Sequence, residues 1–409
     1  MPFKALGLHP HLVRATGEMD YTEPTPIQAG AIPAVLAGRD LIATAQTGTG
    51  KTAAFLLPIL HRLINLPPKP GTKVLVVSPT RELSQQIEDV FRALGRYTKH
   101  TVCLITGGKP MGPQERLLRS GVDVVVATPG RLLDHMRQGT ARMDKVDTLV
   151  LDEADSMLDM GFLPDVKRII QQLPARKQTL LFSATMPPVI SDLAKQILKN
   201  PEVVQIGKRT ATAVGITQAA YPVPEHLKTA LLRHLLRNTE MPSVLVFTRT
   251  KHNAKKLARV VENDGFKVAE LHSNRTPPQR AKAMDGFRRG AYQVMVATNI
   301  AARGLDVDHI THVISVDVPD VPEDYVHRIG RTARAGQEGD AFILVSPTEE
   351  GSLSRIERQI GTRLPRVTLP DFDYRQAPPP RTPQPQGGGN RGGRGPQRGG
   401  GRGGPRGRR

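Results

Sequence analysis

Short apolar stretches, rich in β-branched residues, alternate along the chain with longer amphipathic stretches. The short stretches are apolar throughout, which is typical of parallel strands that are covered on both faces of a sheet. Amphipathic stretches such as residues 82–97 have the spacing of the helices that supply this cover. The pattern therefore predicts an α/β fold. In the first half the predicted strands are DLIATA (40–45), KVLVVSP (73–79), TVCLITG (101–107), DVVVATP (123–129), TLVLDEA (148–154) and QTLLFSAT (178–185).

The second half of the chain repeats this arrangement. Val74–Val76 matches Val244–Val246, and residues 124–128 match residues 294–298 at the same offset of 170 positions. Two matches at one offset suggest two similar α/β domains in tandem, although matches this short also arise by chance. The predicted strands of this half are SVLVFTRT (243–250), KVAELHS (267–273), QVMVATN (293–299), HVISVDVP (312–319) and DAFILVSP (340–347).

Two stretches lack the pattern of a folded core. Residues 207–218 are small and polar with little apolar periodicity, which predicts a linker between a domain at 1–206 and another at 219–368. Near the C-terminus Pro, Gly, Gln and Arg dominate, and that composition cannot build a core. Residues 372–409 are therefore predicted to be a disordered tail.

The net charge narrows the partners. The chain has 409 residues and a formal net charge of +19. Nine of these charges are arginines in residues 375–409, a segment without lysine or acid, which leaves +10 for residues 1–374. Such a balance favours polyanions, above all nucleic acid. No run of 18 apolar residues occurs and the first residues lack the apolar core of a signal peptide, so neither a membrane span nor secretion is expected.

The cysteine and histidine residues argue against disulfide bonds and against a zinc site. Cys103 is the single cysteine and lies in an apolar run, so it is predicted to be a buried strand residue of a cytoplasmic protein without disulfides. The twelve histidines show neither the Cys/His spacing nor the HExxH pattern of zinc sites.

A glycine-rich stretch between a predicted strand and a predicted helix nearly matches the phosphate-binding pattern G-x-x-x-x-G-K-[ST]. Backbone N–H groups near Gly48 and Gly50 would face phosphate oxygens, Lys51 would reach the β and γ phosphates, and Thr52 would bind Mg²⁺. Because Ala45 replaces the first glycine of the pattern, a flexible turn without a ligand is the alternative. The stretch consists of Ala45, Gln46, Thr47, Gly48, Thr49, Gly50, Lys51 and Thr52.

A pair of acids follows a later strand candidate. In VDTLVLDEAD (146–155), the apolar strand candidate ends at Asp152 and Glu153. Carboxylates at the carboxyl ends of parallel strands lie at the edge that forms the ligand crevice. Asp152 is predicted to hold Mg²⁺ and Glu153 to orient and deprotonate the attacking water. An acidic cap on the next helix is the alternative for this pair taken alone.

The phosphate-binding stretch and the acidic pair together resemble the motifs of a known protein family. Residues 152–155 spell DEAD, and the chain resembles the DEAD-box ATP-dependent RNA helicases, most closely the bacterial RhlE-like group. Ala45 is the family's own residue at the first loop position. The resemblance covers about residues 1–365. It implies two tandem RecA-like domains, each a parallel sheet with helices on both faces, plus the disordered tail.

The resemblance also implies a function. It predicts a cytoplasmic ATP-dependent RNA helicase with ATP and Mg²⁺ as cofactors. Its partner would be RNA, single-stranded or in short duplexes, bound through the backbone, and ribosomal or RNA-decay proteins are candidate partners. Residues 1–206 would carry the Q motif and the ATP-binding domain, and residues 219–368 the C-terminal helicase domain.

For the nucleotide, the resemblance assigns an adenine site and a ribose contact. Phe3 and the stretch Tyr21–Gln28 look like the Q motif, in which an aromatic ring stacks on adenine and Gln28 binds its edge. Asp306 would hold the ribose.

Other residues resemble those that couple hydrolysis to RNA. Ser183 and Thr185 belong to a motif that couples hydrolysis to strand separation. In the second domain Arg331 and Arg334 would be arginine fingers on the γ-phosphate, and His327 would bridge back to the first domain.

The RNA contacts implied by the resemblance are arginines, hydroxyls and glycine N–H groups, which suit phosphates. They are Pro79, Thr80, Arg81, Gly107, Gly108, Thr128, Pro129, Gly130 and Arg131 in the first domain, and Thr248, Arg280, Thr298 and Gly304 in the second.

The chain departs from the family at several positions. Asp20 and Ala333 stand where the family usually has glycine, Asn299 stands where it usually has aspartate, and Ser273 and Pro277 alter the loop before Arg280. Asn299 keeps the hydrogen bonding of aspartate and loses its charge. On sequence alone, Asn299→Asp is expected to raise RNA-stimulated ATP turnover.

Several readings of function stay open at this stage. An ATP-gated RNA clamp or RNA chaperone with little unwinding is the main alternative, and the presence of Glu153, Ser183 and Thr185 favours the helicase. A DNA helicase and a small-molecule kinase fit less well. The tail is either a sequence-nonspecific RNA tether, whose binding would weaken steeply with salt, or a solubilising extension.

Overall fold

The structure is a computed structural model that describes residues 2–45, 48–67, 71–175, 177–206, 215–302, 307, 309–333 and 338–377. One compact unit extends to Tyr374, and Arg375 begins a separate unit. Within the described residues, no helix combines the length and the apolar character that a membrane span requires.

The N-terminal half of this unit is built around a sheet of seven parallel strands. After a 3-10 turn at Phe3–Leu6, its elements are α1 (Pro10–Glu18), α2 (Pro26–Leu36), β1 (Leu41–Thr44), α3 (Lys51–Asn65), β2 (Val74–Val77), α4 (Arg81–Leu94), β3 (Val102–Ile105), α5 (Met111–Arg119), β4 (Val124–Ala127), α6 (Pro129–Arg137), β5 (Thr148–Leu151), α7 (Ala154–Asp159), α8 (Leu163–Gln171), β6 (Gln178–Ser183), α9 (Pro188–Ile197) and β7 (Glu202–Gln205).

The C-terminal half is built around a sheet of six parallel strands. Its elements are β8 (Ile216–Pro222), α10 (Lys228–Asn238), β9 (Val244–Thr248), α11 (Lys251–Asn263), β10 (Val268–Leu271), α12 (Pro277–Arg288), β11 (Val294–Thr298), α13 (Asn299–Ala302), β12 (His312–Ser315), α14 (Pro322–Ile329), β13 (Gly339–Val345) and α15 (Glu350–Ile360), with 3-10 turns at Glu225–Leu227 and Pro347–Glu349.

Apart from the additional edge strand β7, the two sheets have the same strand order, which confirms the internal repeat. The first runs β3-β4-β2-β5-β6-β1-β7 and the second runs β10-β11-β9-β12-β13-β8. Val74 pairs with Val124 in the first sheet, and Val244 pairs with Val294 in the second. Each of these residues is 170 positions from its counterpart, so the repeat seen in the sequence is a repeat of strand register.

The predicted α/β fold and its eleven predicted strands are confirmed. Strands β2 to β5 are buried at every position, because helices cover both faces of the sheet. Cys103 is buried on β3, as predicted, and burial raises the pKa of its thiol to about 12.

The boundaries of the predicted linker and tail need correction. Strand β8 begins at Ile216, so the last three residues of the predicted linker pair with β13. At the other end, Phe372 is buried and its ring lies 4.9 Å from that of Tyr374 and 5.5 Å from that of His234. The tail therefore starts after Tyr374 instead of at Phe372, because these aromatic rings cover apolar surface of the core. Residues 378–409 lie outside the described part of the chain.

Candidate active site

The phosphate-binding loop leads directly into a helix. Gly48 and Gly50 have φ angles of 85° and 90°, a region that glycine adopts without strain. Gly50 is the residue before α3, so the unpaired N–H groups of the first turn of α3 face the loop. Lys51 is buried, and its Nζ donates a hydrogen bond to the Ala45 carbonyl at 3.0 Å.

The structure explains why Ala45 fits at the first loop position. Its side chain is buried in the core, and its N–H donates to the Ser183 carbonyl at 3.1 Å, so it extends the pairing of β1 with β6. This position continues a strand and, unlike Gly48 and Gly50, has no positive φ. Alanine therefore fits here without strain.

The predicted Q motif holds the loop through two carbonyl groups. The Thr25 hydroxyl donates to the Thr49 carbonyl at 2.8 Å, and Gln28 Nε2 donates to the Gly50 carbonyl at 3.2 Å. Gln28 Oε1 accepts the N–H of Thr25 at 3.0 Å. A Cβ at Gly50 would lie only 2.4 Å from Gln28 Nε2, so glycine is required there. In this conformation Gln28 contacts the loop with the atoms that were predicted to bind adenine.

One of the two aromatic rings predicted near adenine is buried. Phe3 is 3% exposed and packs in the core of the N-terminal half, so its ring offers no free face for stacking. Tyr21 is partly exposed beside the same core and is the aromatic residue of this motif that remains accessible. The sequence pattern could not separate the two rings, because both precede Gln28 in the Q motif.

The charge of Lys51 acts on Asp152, and Glu153 follows Asp152 at the start of α7. Asp152 is 2% exposed, and burial raises its pKa to about 7, an effect that the Lys51 ammonium only partly offsets. Glu153 is also buried and adopts a left-handed backbone with φ 51°. Its Oε2 atom has no hydrogen-bond partner within the described part of the chain. Such strain and an unpaired buried acceptor concentrate at functional sites.

Asp155 connects the acidic motif to Ser183–Thr185. Its Oδ2 accepts hydrogen bonds from the N–H groups of Ala184 at 3.1 Å and Thr185 at 2.7 Å, and from the Thr185 hydroxyl at 2.9 Å. Its own N–H donates to Ser183 Oγ at 3.2 Å. Sequence reasoning missed this role, although Asp155 is the last letter of the DEAD tetrad.

Asp155 also reaches the C-terminal half. His327 Nε2, on α14, lies 3.5 Å from Asp155 Oδ2. Burial would raise the pKa of Asp155, but the hydrogen bond and charge of His327, the charge of Lys51 and the Thr185 N–H hold it well below its usual range. The bridge predicted for His327 is therefore present, and Asp155 is its partner.

A buried polar network supports α14. Asn299 Nδ2 donates to Asp324 Oδ2 at 2.9 Å, and Asn299 Oδ1 accepts from Arg328 Nε at 2.8 Å. Arg328 also donates to the Asp317 carbonyl at 2.7 Å, and burial lowers its pKa to about 10. Asn299, Asp324 and Arg328, together with His327 and the buried Arg331, line a cavity of about 10 Å³, room for roughly one water molecule.

The predicted RNA contacts of the N-terminal half cluster at the carboxyl edge of its sheet. The Arg81 guanidinium lies against Gly107 and Gly108, where a Cβ on Gly108 would be 1.9 Å from Arg81 Nη1. Gly108 also has a φ of 76°, which glycine adopts without strain. Arg131, in the first turn of α6 with Pro129 and Gly130, donates to the Lys109 carbonyl at 2.8 Å.

Not all predicted contacts present their side chains in this way. Thr80 is buried and caps α4 by accepting the N–H of Leu83 at 3.2 Å. Thr248 is 0% exposed, and its hydroxyl donates to Asp317 Oδ2 at 2.7 Å. It thus orients the loop after β9, and the exposed residues that follow it are Arg249 and Thr250.

A second contact joins the two halves beside these residues. Arg280 Nη2, at the start of α12, lies 3.0 Å from Glu82 Oε1 in the first turn of α4. Glu82 directly follows the predicted RNA contact Arg81. Both side chains are about four-fifths buried, so this ion pair contributes more than a fully exposed one.

Five predicted site residues lie outside the described part of the chain. They are Gln46, Thr47, Gly304, Asp306 and Arg334. The structure therefore does not place the ribose contact or the second arginine finger.

Two family models match the chain. Residues 25–193 match the DEAD/DEAH box helicase model and residues 227–336 match the helicase conserved C-terminal domain model. The chain is 41% identical over 372 residues to the ATP-dependent RNA helicase CshA of Listeria monocytogenes, which covers 91% of this chain and 71% of that protein. The chain belongs to the DEAD-box helicase family. These findings support a bacterial DEAD-box helicase and do not support the finer RhlE-like assignment.

Solved structures of this family match both halves at once. Saccharomyces cerevisiae Dbp5 bound to RNA and ADP BeF3 is 33% identical, covers 90% of this chain and 95% of its own, and has a TM-score of 0.82. A point variant of Dbp5 bound to Nup159, a Gle1 variant, IP6 and ADP is 31% identical and covers 89% of this chain and 96% of its own, but it has a TM-score of only 0.61. The two RecA-like domains of this DEAD-box helicase are therefore arranged more as in the RNA-bound Dbp5.

Proposed function

We propose that this DEAD-box helicase is an RNA-dependent ATPase that separates short RNA duplexes and remodels RNA–protein complexes by closing and opening the cleft between its domains. Closure brings His327 and Arg331 of one domain to the acidic motif and phosphate loop of the other. The contact of Asp155 with His327 is the observation that carries this proposal, because it joins the hydrolytic motif to the second domain.

The nucleotide site is proposed on the N-terminal domain. On ATP binding, Lys51 would exchange the Ala45 carbonyl for β- and γ-phosphate oxygens, to which its ammonium is attracted more strongly. Tyr21 would stack on adenine. The contacts of Thr25 and Gln28 with the loop carbonyls would pass the presence of adenine to the loop.

The residues around Lys51 fit a magnesium ion. The Asp152 carboxylate is buried and would regain a counter-charge from a cation, and the Thr52 hydroxyl at the start of α3 supplies a second oxygen ligand. A bound Mg²⁺ would neutralise charge on the β- and γ-phosphates. Glu153 is the proposed general base, because its buried Oε2 is free of described partners and can accept a proton from water.

Arginine from the second domain would complete the site. Arg331 is buried in the α14 network and is proposed to reach the γ-phosphate, and Arg334 is proposed as the second finger. Such a finger contributes about 10³–10⁵ in rate. Hydrolysis would therefore be slow until the cleft is closed.

RNA would supply the condition for closure. Arg81 and Arg131 in one domain and Arg280 and Thr298 in the other are proposed to hold consecutive phosphates across both domains. The Glu82–Arg280 ion pair lies between these groups and couples closure to the orientation of Arg280. Release of phosphate would open the cleft and free the RNA.

Further proposals concern the cellular location, the tail and the protein partners. We expect a cytoplasmic protein, and the tail after Tyr374 is proposed to tether RNA without sequence preference. Ribosomal or RNA-decay proteins remain candidate partners.

The test is ATP hydrolysis by the full-length protein without nucleic acid, with single-stranded RNA and with DNA of equal length. We expect stimulation by RNA alone, its loss in Glu153→Gln, and displacement of a short RNA strand only with ATP. Stimulation without strand displacement would favour the ATP-gated clamp. A rate of ATP hydrolysis that does not change when RNA is added would contradict the proposed coupling of hydrolysis to RNA binding.

A further inference from the structure

Helix α11 carries an exposed stripe of positive charge that none of the predicted RNA contacts includes. This α11 stripe consists of five exposed residues, Lys251, His252, Lys255, Lys256 and Arg259. The opposite face of the helix packs in the core through apolar residues, of which Ala254, Leu257, Ala258 and Val261 are buried.

The basic side chains of the stripe lack the ion pairs of other surface helices, and Glu262, three residues beyond Arg259, is the one acid on α11. Within the described residues, none of the four Lys and Arg side chains of the stripe has an ion pair. Five helices of the N-terminal domain each have an opposite-charge pair three or four residues apart: Arg14–Glu18, Glu88–Arg92, Glu115–Arg119, Asp165–Arg168 and Asp192–Lys195.

This arrangement is unfavourable for the helix itself. Lys251, Lys255 and Arg259 are successive like charges four residues apart, and each such pair destabilises a helix by about 0.2–0.5 kcal/mol. The first turn contains no acid, so Lys251 also lies at the positive end of the helix dipole. A stripe that lowers helix stability in two ways calls for a polyanion that compensates it.

The position of the stripe favours RNA as that polyanion. Helix α11 begins at Lys251, directly after β9 and the exposed Arg249 and Thr250, at the carboxyl edge of the sheet. Arg280 lies at the same edge, near the start of α12. Lys251 to Arg259 spans ~12 Å at 1.5 Å per residue, so the stripe is long enough to contact more than one phosphate of a single strand.

The stripe fits an acidic protein less well. Among the described residues, the large exposed apolar side chains are Leu66, Leu117, Val189, Val203 and Val321, and none of them lies on α11. Protein interfaces have an apolar centre, whereas a surface of charge alone is typical of phosphate-backbone contacts.

We infer that the α11 stripe is an auxiliary RNA site, which binds the phosphate backbone of RNA that extends beyond the cleft. This inference rests on the proposed RNA-dependent function. The stripe lengthens the bound segment without reading its sequence, and it holds RNA on the C-terminal domain independently of ATP.

The test compares the full-length protein with Lys255→Gln/Lys256→Gln. The matched control is Lys145→Gln/Lys167→Gln, which removes two exposed lysines of the N-terminal domain. Affinity is measured by fluorescence anisotropy for single-stranded RNAs of about 5 to 30 nucleotides at several salt concentrations, a range that spans the usual site sizes of single-strand binders.

For long RNA we expect a loss of about tenfold in affinity and a salt dependence that is shallower by ~1.4, since each phosphate contact on a single strand contributes ~0.7 to the slope. The shortest RNA should bind and stimulate ATP hydrolysis as in wild type. An equal loss of affinity for short and long RNA would overturn the inference. Unchanged affinity for long RNA would also overturn it, and would instead favour an acidic protein as the partner of the stripe.

A second variant separates binding from folding. Lys255→Glu places an acid four residues from both Lys251 and Arg259, so the melting temperature should rise or stay the same while long-RNA affinity falls further. A fall in melting temperature together with affinity would instead show a structural effect. If the wild type itself fails to show RNA-stimulated hydrolysis, the proposed function fails, and long-RNA binding can still be compared.

Discussion

The Oδ2 atom of Asp155 lies 3.5 Å from Nε2 of His327 and, at the same time, 2.7 Å from the N–H of Thr185. A single carboxylate oxygen thus contacts the motif that follows β6 and the helix α14 of the other domain. In the proposed mechanism, closure of the cleft would therefore be coupled to the position of Ser183–Thr185 through one atom.

We predict that Asp155→Asn reduces RNA-stimulated ATP turnover by about 5- to 150-fold, the range of coupling free energies between sites. The amide keeps the size of the side chain, but its nitrogen cannot accept the hydrogen bonds that Oδ2 accepts. Steady-state hydrolysis with saturating RNA measures the change. Asp165→Asn, on α8, is the control, and the coupling role is rejected if both variants behave alike.

The ion pair of Glu82 with Arg280 allows closure and RNA binding to be separated. We predict that Glu82→Arg and Arg280→Glu each weaken closure, whereas the exchanged double variant restores it. RNA affinity should stay low in the double variant, because position 280 then carries a negative charge. Fluorescence energy transfer between the two domains and RNA anisotropy provide the two readouts. Full recovery of both would mean that Arg280 does not contact RNA.

The contacts of Asn299 reverse the expectation drawn from the family pattern. Asn299 donates to Asp324 and accepts from Arg328, and aspartate cannot donate. In Asn299→Asp two carboxyl groups would lie about 2.9 Å apart, so one of them would have its pKa raised. We therefore predict lower RNA-stimulated turnover in Asn299→Asp.

The same variant should show a defined pH dependence. A carboxyl group with a raised pKa binds more protons in the folded than in the unfolded state, so the free energy of unfolding falls as pH rises above its unfolded pKa. The melting temperature of Asn299→Asp, relative to wild type, should drop as the pH rises from about 4, the unfolded pKa of an aspartate, toward neutral pH. Asn263→Asp, on the exposed end of α11, is the control. A constant difference across this range would argue against the paired carboxylates.

Two positions where the family usually has glycine share a left-handed backbone conformation. Ala333 and Asp20 have φ angles of 53° and 57°, in the left-handed region. Aspartate tolerates this region better than alanine, which is strained there by about 1–2 kcal/mol. We predict that Ala333→Gly stabilises the protein by up to about 1 kcal/mol, after the entropy of glycine in the unfolded chain is deducted.

Chemical denaturation measures this change, with Ala291→Gly as a control at a position without positive φ. Equal destabilisation of both variants would contradict the strain at Ala333. Because Ala333 lies between Arg331 and Arg334, the relaxed variant also tests whether strain at this point alters ATP turnover.

The sequence by itself determined the local elements and the hydrolytic motifs. Uninterrupted apolar runs predicted eleven of the thirteen strands in the described part of the chain, because strands buried on both faces need apolar side chains at every position. It missed β7, whose residues are partly exposed at the sheet edge, and β8, whose first residues are as polar as a linker. The loop at Lys51 and the acids at Asp152 and Glu153 were found because their chemistry depends on residues that are close in sequence.

Tertiary structure alone decided which side chains are available and which pairs meet. Phe3 and Thr248 match family motifs, but packing buries both, and burial depends on contacts that no local pattern encodes. The pairs Asp155–His327 and Glu82–Arg280 join residues separated by about half the chain. Such contacts are set by how two independent sheets face each other. For the same reason the amide of Asn299 acquired a meaning only when Asp324 and Arg328 were placed beside it.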